Sequence, residues 1–132
     1  MIGYMYHKGK GVPKNYVKAA DWYKKAAEHK NTKALNNLAY LYQKGKGVNK
    51  DIHKAEQLLL KSAKQGDDVA CLNLGILYQT GKLGQPYGDA EYWYRKAMDK
   101  GNLPATRIYR RIQSMEQKKT NIQNRYTEQK EN

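Results

Sequence analysis

Leu38-Ala39-Tyr40-Leu41-Tyr42-Gln43-Lys44-Gly45-Lys46-Gly47-Val48 reads as the end of an amphipathic helix running into a glycine turn. The same pattern stands 36 residues earlier, as Ile2-Gly3-Tyr4-Met5-Tyr6-His7-Lys8-Gly9-Lys10-Gly11-Val12. It stands again 36 residues later, as Leu74-Gly75-Ile76-Leu77-Tyr78-Gln79-Thr80-Gly81-Lys82. A recurrence at a fixed period of this length marks a solenoid, in which each unit buries its apolar face against the next.

The second half of each unit repeats as well. Lys18-Ala19-Ala20-Asp21-Trp22-Tyr23-Lys24-Lys25-Ala26-Ala27 aligns with Lys54-Ala55-Glu56-Gln57-Leu58-Leu59-Leu60-Lys61-Ser62-Ala63. Both align with Asp89-Ala90-Glu91-Tyr92-Trp93-Tyr94-Arg95-Lys96-Ala97-Met98, after one deletion between Gly81 and Asp89. Ala34, Leu38, Leu41 and Tyr42 form one helical stripe, and Ala55, Leu58, Leu59 and Ser62 form another. Small residues at 3, 39, 75, 19, 55 and 90 allow close helix approach. Gly45 and Gly47 suit a left-handed helix end. Asn15 and Asp51 fall where second helices need N-caps, and Asn31, Asp67 and Asn102 where first helices need them. Pro86 suits a first helical position. The expected fold is all-α: a right-handed α-solenoid of antiparallel helix-turn-helix repeats, about three units plus a terminal capping helix. The units span 1–30, 31–66 and 67–101, with the capping helix from 102. Trp22, Tyr23, Trp93 and Tyr94 are expected to pack in the core. Arg110 replaces the small residue of the other units and suits a polar terminal face. Residues 113–132 are polar and basic with little apolar periodicity, and read as a frayed helix or disordered tail.

This pattern resembles the Sel-one-like repeat (SLR) family, relatives of the tetratricopeptide repeats. The matching residues are Ala70, Leu74, Gly75, Tyr78 and Gly81, with Lys18, Ala19, Trp22, Tyr23, Lys25, Ala26 and Ala27. The resemblance covers residues 1–112. Departures are Leu58-Leu59 in place of Trp-Tyr, Ala39 in place of Gly, and Leu83-Gly84-Gln85-Pro86 in the third turn. They read as packing and loop changes. The resemblance implies an adaptor or scaffold, part of membrane-associated or secretory assemblies or, in bacteria, of host interaction.

The 132 residues carry 25 Lys and Arg against 12 Asp and Glu, a formal charge of +13. Such a balance favours acidic partners, anionic surfaces or nucleic acid. The first two units hold most of the surplus and the third is slightly acidic, so the charge traces no continuous phosphate track. Lysine is also the usual choice for a solvated helix face. Cys71 is the only cysteine, so no intrachain disulfide forms and no oxidising compartment is marked. No apolar run reaches the roughly 20 residues of a membrane span, and no secretory signal opens the chain. The chain reads as cytoplasmic, with secretion as an effector or a missing N-terminal signal left open. Met1 aligns with Asn37, so the first unit has a short first helix whose outer face is open to missing sequence or to a partner.

No catalytic constellation emerges, and the expectation is a non-enzyme with no cofactor and no metal. Gly75 to Gly81-Lys82 has the wrong spacing for a phosphate loop and follows a helix pattern. His7, His29 and His53 lack metal-ligand spacing. Cys71 has no evident base and reads as a buried thiol. A single cysteine also separates the chain from the disulfide-rich relatives proposed to be hydrolases.

Partner binding is expected on the concave face lined by first helices, at positions carried over from tetratricopeptide-type grooves. These are Tyr4 and His7, then Lys33, Asn36, Asn37, Tyr40, Gln43 and Lys44. Val69, Leu72, Asn73, Ile76 and Gln79 follow in the third unit, and Arg107 and Arg111 in the last helix. Asn37 and Asn73 repeat in register, as do Gln43 and Gln79. Asn both donates to and accepts from a peptide backbone, and Lys33, Lys44, Arg107 and Arg111 make the groove positive. The expected guest is an extended acidic peptide or a carboxyl terminus, although solvated surface residues would look the same. The alternative is weak, non-specific nucleic-acid binding through the basic surface, with strong salt dependence. Aromatic residues held in the core are not free to stack on bases.

Overall fold

The computed structural model describes residues 2–80 and 87–131. Among the described residues seven helices follow one another: α1 (Ile2–Lys8), α2 (Tyr16–Glu28), α3 (Thr32–Lys44), α4 (Ile52–Lys64), α5 (Asp68–Gln79), α6 (Tyr87–Asp99) and α7 (Leu103–Glu131). There is no strand among the described residues. Each helix packs on the next in chain order, which is the neighbour-on-neighbour contact pattern of a solenoid.

The caps fall where the sequence places them. Asn15, Asn31, Asp51, Asp67 and Asn102 each accept a hydrogen bond from the backbone N–H three residues on, at 2.9–3.0 Å. Each thereby satisfies one of the four orphan donors at a helix start. The glycine turns are copies of one another. Lys10 N–H donates to the Met5 carbonyl and Lys46 N–H to the Leu41 carbonyl, both at 3.0 Å. Asn15 N–H to Tyr6 O and Asp51 N–H to Tyr42 O are both 2.9 Å. Gly47 is required in its turn: its φ is +74°, and a Cβ there would lie 2.3 Å from the Tyr16 carbonyl oxygen. The third glycine turn, with Gly81-Lys82 and Leu83-Gly84-Gln85-Pro86, lies outside the described residues.

The core is a strip between the two helix rows. Ala19, Ala20, Tyr23, Leu35, Leu38, Ala39, Leu41, Ala55, Leu59, Leu74, Leu77, Ala90 and Tyr94 form it, all nearly inaccessible. Tyr23 and Tyr94 are fully buried as expected, and Trp93 packs partly against the same strip. Trp22 differs. It is 38% exposed at the end of the stack, with the Lys25 ammonium 4.7 Å from its ring centroid. Only short α1 lies beside it there. The tail, read as a frayed helix or disordered, continues the last helix. α7 runs unbroken for 29 residues, because nothing after Pro104 is Gly or Pro and Gln, Lys, Arg, Glu and Met are good helix formers. Among the described residues no helix is long and apolar enough to cross a membrane.

Candidate functional site

The cap residues also tie the first helices of successive units side by side. Asn36 on α3 donates its Nδ2 to Asp67 Oδ2 at 2.8 Å, while the same oxygen caps α5. Asn102 repeats the link toward Asp68 at 2.8 Å. The row of first helices thus forms one surface with two adjoining hollows. The first, about 450 Å³, is lined by Tyr4 of α1, Lys33, Asn36 and Asn37 of α3, and Asp67 and Val69 at the start of α5. The second is about 90 Å³ and is lined by Asn36, Ala39, Tyr40, Gln43, Leu59, Asn73 and Ile76. Asn36 lines both, so the two hollows sit side by side as a groove along this surface.

Nine of the residues expected to meet a guest therefore line this groove: Tyr4, Lys33, Asn36, Asn37, Tyr40, Gln43, Val69, Asn73 and Ile76. Others do not. Lys44 is exposed at the end of α3, outside both hollows. Leu72 packs partly against the core. Arg107 and Arg111 are exposed on α7, at the register of Asn36 and Tyr40, also outside the hollows. Gln79 accepts a hydrogen bond from the Tyr94 hydroxyl. His7 is only 7% exposed, with its Nδ1 3.0 Å from the Tyr23 hydroxyl. Its ring stacks on Tyr40 at 5.6 Å. It supports the groove wall from behind instead of presenting itself to a guest. Burial, then the charges of Lys8, Lys14 and Lys46, hold its pKa below the usual histidine value. Burial pushes the Tyr23 phenol up to about 12.

His7, Gln43 and Gln79 occupy the same place in the three units, and so do Tyr23, Leu59 and Tyr94. In the outer units the tyrosine hydroxyl reaches that groove-side residue. Leu59 has no hydroxyl, so Gln43 is left at the groove surface beside the smaller hollow. Sequence reasoning missed Ala39 and Leu59 as the floor of that hollow, although Leu59 in place of Tyr was a visible departure. It also missed Lys46, whose ammonium lies 5.6 Å from the Tyr40 ring centroid and adds positive charge at that end. Asp67 was read only as a cap, whereas it is also a groove residue.

A larger open depression of about 600 Å³ lies on another side, lined by Lys24, Tyr42, Gly47, Val48 and Asn49. It gathers no acid–base pair and no nucleophile. Cys71 is buried, and burial pushes its thiol pKa up, away from reactivity. No group of three or more His, Cys, Asp or Glu side chains suited to a metal occurs among the described residues.

Comparison with known proteins places this geometry. The family model for the Sel1 repeat matches residues 1–31, 32–67 and 68–102. A Sel1 repeat protein from Oxalobacter formigenes is similar in structure, with a TM-score of 0.73 and 41% identity over 79% of this chain and 43% of its own. A protective antigen present in uropathogenic Escherichia coli strains, displaying an SLR fold, also gives 0.73, with 36% identity over 79% of this chain and 22% of its own. The matched part thus spans less than half the length of either protein. The comparison with curated proteins gives no match. Sel1 repeats serve generally as protein–protein interaction scaffolds and are typically non-enzymatic. Three consecutive repeats, each a helical hairpin nested on the next, show that the chain belongs to the Sel1 repeat family.

Proposed function

We propose that the chain is an interaction module that receives an extended, acidic segment of another protein along its row of first helices. The observation that carries this reading is the pair of adjoining hollows, to which α1, α3 and α5 all contribute side chains. An extended peptide crossing successive helices meets a repeating set of amides, Asn37, Gln43 and Asn73, suited to its backbone N–H and C=O groups. Lys33 at one end and Lys46 beside Tyr40 supply positive charge for carboxylates. The one acid lining the groove, Asp67, is already engaged by the α5 N-terminus and Asn36, which offsets its repulsion of an acidic guest. Arg107 and Arg111 extend the positive field beyond the hollows and steer approach. The charge balance suits an acidic partner, and the role is that of a scaffold, not a catalyst.

The test is partner capture from the native host by the wild-type chain and by Lys33→Glu combined with Arg107→Glu. The double charge reversal is expected to weaken capture several-fold, chiefly through slower association, as for charges at an interface rim. Unchanged capture would dismiss the acidic-groove reading. A log-linear loss of affinity with salt across many lysines, indifferent to the groove variant, would favour nucleic acid instead.

A further inference from the structure

Repeat packing accounts for α7 only as far as Ile112. Ala105 and Ile112 are buried and Ile108 packs on the core. Gln113 then donates to Glu91 Oε1 at 2.6 Å, close to the start of α6. Past this point every described side chain through Lys130 is exposed. The apolar ones are not scattered. Ala105, Ile108, Ile112, Met115, Ile122 and Tyr126 follow at alternating steps of three and four residues, with Lys119 filling the one remaining place. The row that packs inside the solenoid therefore continues into solvent, where Met115, Ile122 and Tyr126 are 56%, 66% and 54% exposed. Alternating steps of three and four are the seam of a two-stranded coiled coil, and one lysine in a seam is a register-setting device.

The flanks indicate which helix fits. One side of the seam carries Arg111, Lys118 and Arg125, and the other carries Glu116, Gln123 and Lys130. A second copy lying parallel would match Arg111 with Glu116 but set Arg125 against Lys130. Lying antiparallel, it would set the whole basic row against itself. A membrane surface wants a broad apolar face, whereas this seam is narrow and its surroundings include Glu116 and Glu128. We propose that the outer half of α7 is a docking seam for an acidic amphipathic helix of a partner protein, paired as in a two-stranded coiled coil. It is separate from the groove, and it takes a helix where the groove takes an extended segment.

The probe is a fluorescein-labelled synthetic peptide of about four heptads, with Leu and Ile in the seam and Glu at every flanking position. A twin peptide carries Lys at the flanks. Anisotropy titration against the full chain is expected to show binding of the Glu peptide and not of the Lys peptide. Ile122→Asp, at an exposed site beyond the solenoid's core, is expected to weaken binding by about tenfold or more. The Lys33→Glu, Arg107→Glu groove variant is expected to bind the Glu peptide as wild type does, which separates this seam from the groove. Equal binding of both peptides, indifference to Ile122→Asp, or loss in the groove variant would each overturn the proposal. So would a dimer in sedimentation equilibrium that Ile122→Asp dissolves, which would give the seam to a second copy. Attachment to phosphatidylcholine–phosphatidylserine vesicles that Ile122→Asp abolishes would overturn it equally, in favour of a membrane.

Discussion

Gly75 lies under the Tyr94 ring and Gly3 under the Tyr23 ring, whereas in the middle unit Ala39 and Leu59 hold the equivalent places. A Cβ on Gly75 would come within 2.6 Å of two Tyr94 ring carbons, and one on Gly3 within 2.8 Å of Tyr23. Real contacts of that length do not occur, so ring and glycine are a matched set. Ala39 is tolerated because no ring lies over it. The difference reaches the surface. Where the tyrosine is present, its hydroxyl engages His7 or Gln79; where it is absent, Gln43 lines the groove beside a hollow of about 90 Å³. One packing choice in the core thus decides whether the residue at the position of His7, Gln43 and Gln79 is held by a tyrosine or left at the groove.

The strongest way to break this comparison is Gly75→Ala. Overpacking a fully buried ring costs about 1–3 kcal/mol, partly offset by about 1 kcal/mol of helix propensity. A net loss of about 1 kcal/mol is expected in urea unfolding. Adding Tyr94→Leu recreates the Ala39–Leu59 pair, so the double variant should lose less than the sum of the singles, by about 1–2 kcal/mol. Strict additivity would show that the matching is accidental.

The reverse exchange sharpens the comparison at the groove. Ala39→Gly with Leu59→Tyr imposes the outer-unit arrangement on the middle unit. Stability should change by less than about 1 kcal/mol, since the neighbours already hold this geometry. Partner capture should fall several-fold, because the hollow is filled and Gln43 is engaged. Retained capture with intact folding would remove Gln43 and the smaller hollow from the binding surface.

The smallest effect concerns pH. His7 has a folded-state pKa below its usual 6.5, so the unfolded chain takes up a proton first as the pH falls. Stability therefore drops as pH passes down through 6.5 toward the folded-state value. His7→Gln places the amide of the other two units opposite Tyr23 and removes this titration. Its urea midpoint should decline less than that of the wild type between about pH 7 and pH 5. Parallel declines would exclude His7 as the cause.

Much of the fold was legible because it is written three times. Register, turns and five caps follow from side-chain chemistry that acts within a few residues, and repetition separates signal from chance. The Gly–Tyr and Ala–Leu matching was not legible, since its members sit on different helices and each departure looked independent. Trp22 and Tyr23 are adjacent in sequence, yet one points to the end of the stack and the other into it, which only packing decides. The groove was legible as a row of positions, because a helix face follows from periodicity. The burial of His7 and the position of Arg107 and Arg111 outside the hollows were not, since alignment gives a register and not a depth. The outer half of α7 has its apolar residues spaced so widely among polar ones that they looked like tail composition until the helix carried them onto one line.

Asp67 and Asn102 each serve two masters, closing their own helix and gripping the hairpin next door. A molecule bolted this way does not come apart one residue at a time. Peeling from the C-terminal side parts Asn102 from Asp68 and then Asp67 from Asn36, so on that side each step breaks a cap and a link together. Under a pulling force the chain would then lengthen in jumps of repeat size, like a zip whose teeth are each shared by both sides.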